Sequence, residues 1–165
     1  MKLLSVYFLL LLSLNTFSNE KSICGYTDER ILSDFSPIGR TVEDLEIKFG
    51  ACTATMIGKS CAISAGHCFK KNRKFIEFNI PMSDADGKMN HPSAESIYII
   101  DMSSLKYRAS MFNDYAVFKV FPNRLTGLYA GDVQGMMNIS FSTPTNGSKI
   151  RLSGYGKDFW LPTRN

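Results

Sequence analysis

Two residues far apart in the sequence, His67 and Asp114, have the types and settings that proton transfer needs. His67 follows Gly66 and ends a stretch in which two β-branched runs surround the turn residues Gly58-Lys59-Ser60, a pattern that predicts a hairpin. Imidazole is the side chain best suited to take up and release a proton near neutral pH. Asp114 stands two positions before the strand-forming run Ala-Val-Phe-Lys-Val, and we expect its carboxylate to be aimed inward at the end of a sheet.

Two of the four cysteines bracket this hairpin. A bridge between Cys52 and Cys68 would close the loop from residue 52 to residue 68, worth about 3 kcal/mol on the chain-entropy model, and would fix the neighbour of His67. Cys24 and Cys61 are then candidates for a second bridge. Four cysteines allow three connectivities, and one sequence does not choose among them.

The remaining periodic segments favour strands rather than helices. Strands are predicted at Phe75–Ile80, Ser96–Asp101, Tyr107–Ser110, Ala116–Val120 and Met137–Ser142. The chain of 165 residues, 44% hydrophobic and 21% charged, can build one modest core. The fold class is therefore expected to be all-β.

Several of these stretches resemble the trypsin/chymotrypsin-like serine proteases. Ala65-Gly66-His67-Cys68 is similar to the family's histidine motif, and Asp114-Tyr115-Ala116-Val117-Phe118-Lys119-Val120 to its aspartate motif, 47 residues after the histidine. Ser153-Gly154-Tyr155-Gly156 resembles the segment that opens the family's second barrel. The stretch from Ser22 to Arg30 resembles the mature N-terminus of the glutamyl-endopeptidase, or V8-like, branch.

The resemblance implies a fold, a site and an activity. It implies a first antiparallel Greek-key β-barrel over residues 22–125, followed at 126–165 by the inter-barrel connection and the start of a second barrel. His67 would be the general base and Asp114 the carboxylate that orients it, in a serine endopeptidase that hydrolyses protein or peptide substrates without a metal or other cofactor. The V8-like N-terminus points to cleavage after acidic residues.

One part of the family's machinery has no counterpart in the sequence. The nucleophile belongs to a Gly-x-Ser-Gly motif, and the 165 residues contain none. We therefore expect a protease truncated before its catalytic serine and inactive alone. Two alternatives stay open: a half-length binding module or subunit completed by a partner, and a disulfide-stapled β domain unrelated to proteases.

The N-terminus predicts export. Lys2 and the apolar run Leu3–Leu14, followed by Thr16 and Ser18, are typical of a signal peptide over residues 1–18, with a short propeptide at 19–21. Twelve helical residues span only about 18 Å, so no permanent membrane anchor is expected. The protein would be secreted, or periplasmic in a bacterium, where cysteines form disulfides rather than zinc sites.

Charge excludes one class of partner. The 19 basic residues are scattered among 15 acidic ones, for a net charge of +4, so nucleic-acid binding is not expected. The local cluster Lys70–Lys74 is interpreted as a solvated loop, and His91 as a solvated structural histidine.

An isolated first barrel would expose the face that the second barrel covers, which predicts self-association.

Overall fold

The structure, a computed structural model, describes residues 31–46, 51–86 and 88–155. The elements in these residues are strands β1 (Ile38–Val42), β2 (Cys52–Met56), β3 (Cys61–Ser64), β4 (Phe75–Glu77), β5 (Ile97–Ser110) and β6 (Asn113–Val120), a helix α1 (Ala130–Gln134), and two 3₁₀ helices, Gly66–Lys70 and Ala94–Ser96. The expected all-β class is confirmed. The predicted signal peptide, the propeptide and Cys24 lie outside the described residues.

The six strands form a closed antiparallel barrel in the order β1-β2-β3-β6-β5-β4, with β4 paired back to β1. Closure leaves no open edge, because each strand has a hydrogen-bonded neighbour on both sides. The chain order differs from the spatial order at the β3–β6 pair, which aligns Ser64 with Ala116. This pair matters for the site because β3 leads into His67 and β6 begins near Asp114.

The interior is filled by alternate side chains of the strands, as the two-residue period of a strand requires. Two aromatic contacts lie in it: the rings of Phe78 and Tyr98 pack edge to face with centroids 5.7 Å apart, and those of Phe69 and Phe118 lie 5.0 Å apart. The other fully buried members of the core are Val42, Ala54, Met56, Ala62, Ile76, Ile100, Ala116, Val120 and Ala130. The Tyr98 hydroxyl is buried without a hydrogen-bond partner among the described residues.

Strand β5 is longer than the sequence predicts. The two expected strands Ser96–Asp101 and Tyr107–Ser110 are one strand with a bulge, where the pairing with β6 shifts register between Asp101 and Lys106. Asp101 holds the bulge by accepting hydrogen bonds from the Ser103 amide at 3.0 Å and the Ser103 hydroxyl at 2.6 Å. A bulge of this kind bends a strand without ending it.

Two further predictions of elements are corrected. The strand expected at Met137–Ser142 is not formed; this segment is exposed and has no regular structure. The short helix α1 lies in a region expected to be irregular, and it forms because it docks on the β2–β3 turn. The Gly131 amide donates to the Lys59 carbonyl at 2.9 Å, and a Cβ on Gly131 would lie 2.5 Å from the Gly58 carbonyl oxygen.

A buried ion pair lies on the outer face of the barrel. Arg40 and Glu77 face each other across β1 and β4, with Arg40 Nη2 2.8 Å from Glu77 Oε2 and both side chains at most 4% exposed. The loop before β5 covers the pair: the Asn90 carbonyl accepts from Arg40 at 2.6 Å, and His91 Nδ1 lies 2.5 Å from Glu77 Oε1. The prediction of a solvated His91 is therefore wrong, since its side chain is only 21% exposed.

Among the described residues, no helix is long and apolar enough to cross a membrane.

Candidate active site

His67 is presented by the 3₁₀ helix Gly66–Lys70, directly after β3. Its neighbours on both sides are buried, but its own side chain is 61% exposed. The predicted bridge between Cys52 and Cys68 is present, with Cα atoms 6.2 Å apart, and it fastens this helix to the first residue of β2. The imidazole is thus an exposed group on a rigidly attached turn.

A buried arginine, Arg73, is hydrogen-bonded to the same helix. Arg73 Nε donates to the Cys68 carbonyl at 3.3 Å, and the side chain is 4% exposed. Burial lowers the pKa of the Arg73 guanidinium from its ordinary value, and the nearby Glu43 opposes this shift. The interpretation of Lys70–Lys74 as a solvated loop is therefore wrong for Arg73, although Lys70, Lys71 and Lys74 are exposed.

Asp114 stands at the start of β6, opposite Ala109 in the β5–β6 hairpin. Its side chain is 36% exposed, so the prediction of a carboxylate aimed inward is wrong. Its Oδ2 lies 2.6 Å from His67 Nδ1, and its Oδ1 accepts a hydrogen bond of 2.7 Å from the main-chain amide of His67. An ionised carboxylate only accepts hydrogen bonds, so Nδ1 carries the proton. In the neutral imidazole the lone pair is then on Nε2, on the far side of the ring from Asp114.

The carboxylate of Asp114 is held in its ionised form. The pKa of Asp114 is lowered from its ordinary value, first by the hydrogen bond from the His67 side chain and then by that from the His67 amide, with a smaller contribution from the Gly66 amide. Desolvation opposes the shift. Hydrogen bonds to the charged form stabilise it, so the group stays ionised at lower pH than an ordinary aspartate.

Gly66 permits the 3₁₀ helix that carries His67 to approach strands β5 and β6 closely. A Cβ at this position would lie 1.7 Å from the Arg108 carbonyl oxygen on β5 and 2.7 Å from the Tyr115 carbonyl oxygen on β6. The backbones of the hairpin and of the 3₁₀ helix are therefore in direct contact. Any larger residue would push His67 away from Asp114, a requirement that the local sequence pattern alone does not reveal.

Among the described residues, the one hydrogen-bond-range contact of His67 Nε2 is with Cys68 Sγ, at 3.6 Å. No hydroxyl group of the described residues forms a hydrogen bond with His67. The pair is therefore a proton acceptor and its orienting carboxylate, without a nucleophile in this part of the chain.

Cys61 and the acidic residues of the loop before β5 do not join the site. Cys61 forms no disulfide with a described residue, and the pairing with Cys24 stays a prediction. The acidic residues of the loop before β5 bond to their own loop, since Asp84 accepts from the Asn90 side chain at 2.8 Å and Asp86 from the Lys88 amide at 3.2 Å.

The segment that resembles the start of a second barrel lies against the first. The Tyr155 amide donates to Thr53 Oγ1 at 2.8 Å, and Gly154 leaves room for this contact, because a Cβ there would lie 2.9 Å from the same oxygen. Burial, with the nearby Glu77 in addition, raises the pKa of the Tyr155 phenol, and Arg40 opposes this. The outer face of β1 and β2 is therefore a surface on which the following chain packs.

No family model matches the chain, and no curated protein matches it. The Cys52–Cys68 disulfide is compatible with an extracellular location.

Proposed function

We propose that the chain supplies the general base and its orienting carboxylate to a secreted serine endopeptidase of the trypsin-like type. The observation that carries the proposal is the pair of hydrogen bonds between Asp114 and His67, at 2.6 and 2.7 Å, beside an imidazole that is 61% exposed. An exposed imidazole that is oriented by a carboxylate, and whose second nitrogen meets no hydroxyl or carbonyl group of the described residues, has the arrangement that a general base needs.

The chemistry follows from this geometry. His67 Nε2 would accept the proton of a serine hydroxyl as the oxygen attacks a peptide carbonyl, and would later return that proton to the leaving amine. Asp114 keeps the proton on Nδ1 and stabilises the imidazolium that forms. The strands form two meanders, β1-β2-β3 and β4-β5-β6, which are joined at the β1–β4 and β3–β6 pairs. This closed six-stranded barrel supports the proposal of a Greek-key first barrel like that of the family.

The nucleophile must come from outside residues 1–165, because these contain no Gly-x-Ser-Gly motif. The docking of Tyr155 on Thr53 supports a second half that packs on the outer face of the first barrel. The substrate would be a protein or peptide, and a preference for acidic residues remains a proposal from the V8-like N-terminus.

The test is a version of the chain extended by the serine-bearing half of a V8-like protease. We expect a fluorophosphonate probe to label its serine, and both His67→Ala and Asp114→Asn to slow labelling by several orders of magnitude. Asp86→Asn, at a loop carboxylate that bonds to the Lys88 amide of its own loop, is the matched control and should label at the parent rate. A folded extended protein that is not labelled, or that is labelled equally fast without His67, would contradict the proposal.

A second candidate function is a non-catalytic binding module, and it rests on a different observation. The segment after α1 exposes large apolar side chains, among them Phe141 at 96%, Leu152 at 89% and Ile150 at 75%. Such surfaces mark protein contacts or self-association. Sedimentation of the purified chain tests this: a monomer that stays monomeric at high concentration argues against it, and a dimer abolished by Phe141→Ser with Leu152→Ser supports it.

A further inference from the structure

Three atoms that metals favour lie together at the end of β3. Cys52 Sγ, Cys68 Sγ and a ring nitrogen of His67 are all within 4.8 Å of one another. In the oxidised protein the two sulfurs are bonded to each other, so they are not thiolates and do not form a metal site. Reduction of that one bond changes the chemistry of the cluster.

The imidazole is already oriented as a metal ligand. His67 donates its Nδ1 proton to Asp114 and leaves the Nε2 lone pair for a bond. Histidines that bind metals usually donate their other ring N–H to a carboxylate or carbonyl in this way. The contact that positions a general base therefore equally positions a ligand.

The spacing of His67 and Cys68 fits a single tetrahedral ion. Zn–N bonds of about 2.0 Å and Zn–S bonds of about 2.3 Å at a tetrahedral angle place the two ligand atoms about 3.6 Å apart. His67 Nε2 lies 3.6 Å from Cys68 Sγ. The distance between these two ligand atoms therefore already fits a tetrahedral ion, and neither side chain has to move to reach it.

Cys52 supplies the third ligand with little movement of the backbone. It is held at the start of β2 by pairing with Thr41 on β1, so it stays near Cys68 when the disulfide opens. The two sulfurs must separate to about 3.8 Å for a tetrahedral ion, and the side chain of Cys52 is only half-buried. The exposed imidazole leaves an entry path for the ion.

We propose that reduction of the Cys52–Cys68 disulfide converts this cluster into a binding site for a zinc-type divalent cation, with Cys52, Cys68 and His67 Nε2 as ligands. A dithiol reductant gives two electrons and two protons to the disulfide and itself becomes a disulfide, leaving two thiols. The cation displaces both thiol protons, so two thiolates and a neutral imidazole balance its charge. The fourth position is open to water, and the bound ion occupies the nitrogen that a base would use.

The experiment uses the purified chain and Co²⁺ as the spectroscopic probe. After reduction with a phosphine, we expect one Co²⁺ per chain with the absorption of a tetrahedral thiolate complex, displaced by Zn²⁺. The oxidised chain should show none of it. His67→Ala and Cys52→Ser should each weaken binding at least 10-fold, and Asp114→Asn, which removes the carboxylate behind the ligand, about 10-fold to 100-fold.

The matched controls test whether the other cysteines or the other histidine bind the metal. Cys24→Ser with Cys61→Ser removes the remaining cysteines, and His91→Ala removes the remaining histidine; neither should change the spectrum or the affinity. Circular dichroism follows the barrel after reduction. The proposal is overturned if the reduced chain unfolds, if no tetrahedral complex forms, if the double cysteine control loses it, or if Asp114→Asn binds as tightly as the parent.

Discussion

Asp114 holds both the side chain and the backbone of His67, with its two oxygens 2.6 Å from Nδ1 and 2.7 Å from the main-chain nitrogen. One carboxylate thus fixes the position of the residue and the rotation of its ring. The 3₁₀ helix, the disulfide to β2 and the β5–β6 hairpin meet at this point. Substitutions of Gly66 in the helix and of Asp114 in the hairpin test two of these parts separately.

Asp114→Asn should reverse the preferred tautomer of His67, because an amide can donate to Nδ1 as well as accept from it. In the serine-protease triad this substitution lowers kcat by about 10⁴. In the extended protein we therefore expect probe labelling to fall by several orders of magnitude while the barrel stays folded. Equal labelling of the variant would show that His67 acts without the carboxylate.

Gly66→Ala should destabilise the barrel and separate the pair. A Cβ 1.7 Å from the Arg108 carbonyl oxygen requires a shift of β5, and strain of this kind costs roughly 1–3 kcal/mol or more. Urea unfolding measures the loss. Gly58→Ala is the control, because its Cβ would meet only the Cys61 Cβ at 3.4 Å; a similar cost for both variants would argue against the contact with β5.

Glu77→Gln should be strongly destabilising, although Glu77 is bonded to Arg40 and His91 and not to the candidate pair. It leaves Arg40 buried with a weaker partner, and breaking a buried pair costs about 3–5 kcal/mol. Asp132→Asn breaks the exposed pair with Lys59, whose atoms are 3.0 Å apart, and should cost no more than about 1 kcal/mol. Thermal unfolding of the two variants compares them, and equal shifts would contradict the buried character of the first pair.

Acidification should remove the contribution of Asp114 to stability. Its pKa is lower in the folded chain than in the unfolded chain, where a value of about 3.9 is ordinary, so the unfolded state binds the proton first. The stability difference between the parent and Asp114→Ala is therefore full above the unfolded pKa and declines as the pH falls from there through the folded pKa. Urea unfolding at several pH values checks this, and a difference that does not change with pH would contradict it.

The sequence predicts the pair His67 and Asp114, but it does not predict all of the contacts that position the two residues. The hairpin, the Cys52–Cys68 bridge and the all-β class follow from local patterns, because turn residues and β-branched runs act within a few positions. Two contacts depend on segments that are distant in the sequence. One is the close approach of Gly66 to the backbone of β5 and β6, and the other is the contact of His91 with Glu77. The bulge in β5 does not follow from the sequence, because Asp-Met-Ser-Ser interrupts the alternation of a strand although pairing with β6 continues beyond it.

The protonation of the two ring nitrogens of His67 tests the central claim most directly, and nitrogen NMR of the chain labelled in histidine measures it. At a pH where the imidazole is neutral, we predict that Nδ1 carries a hydrogen-bonded proton, that Nε2 carries none, and that Asp114→Asn abolishes this preference. A proton on Nε2 in the parent chain, or the same tautomer in the parent and in Asp114→Asn, would contradict the account of His67 as a base held by Asp114.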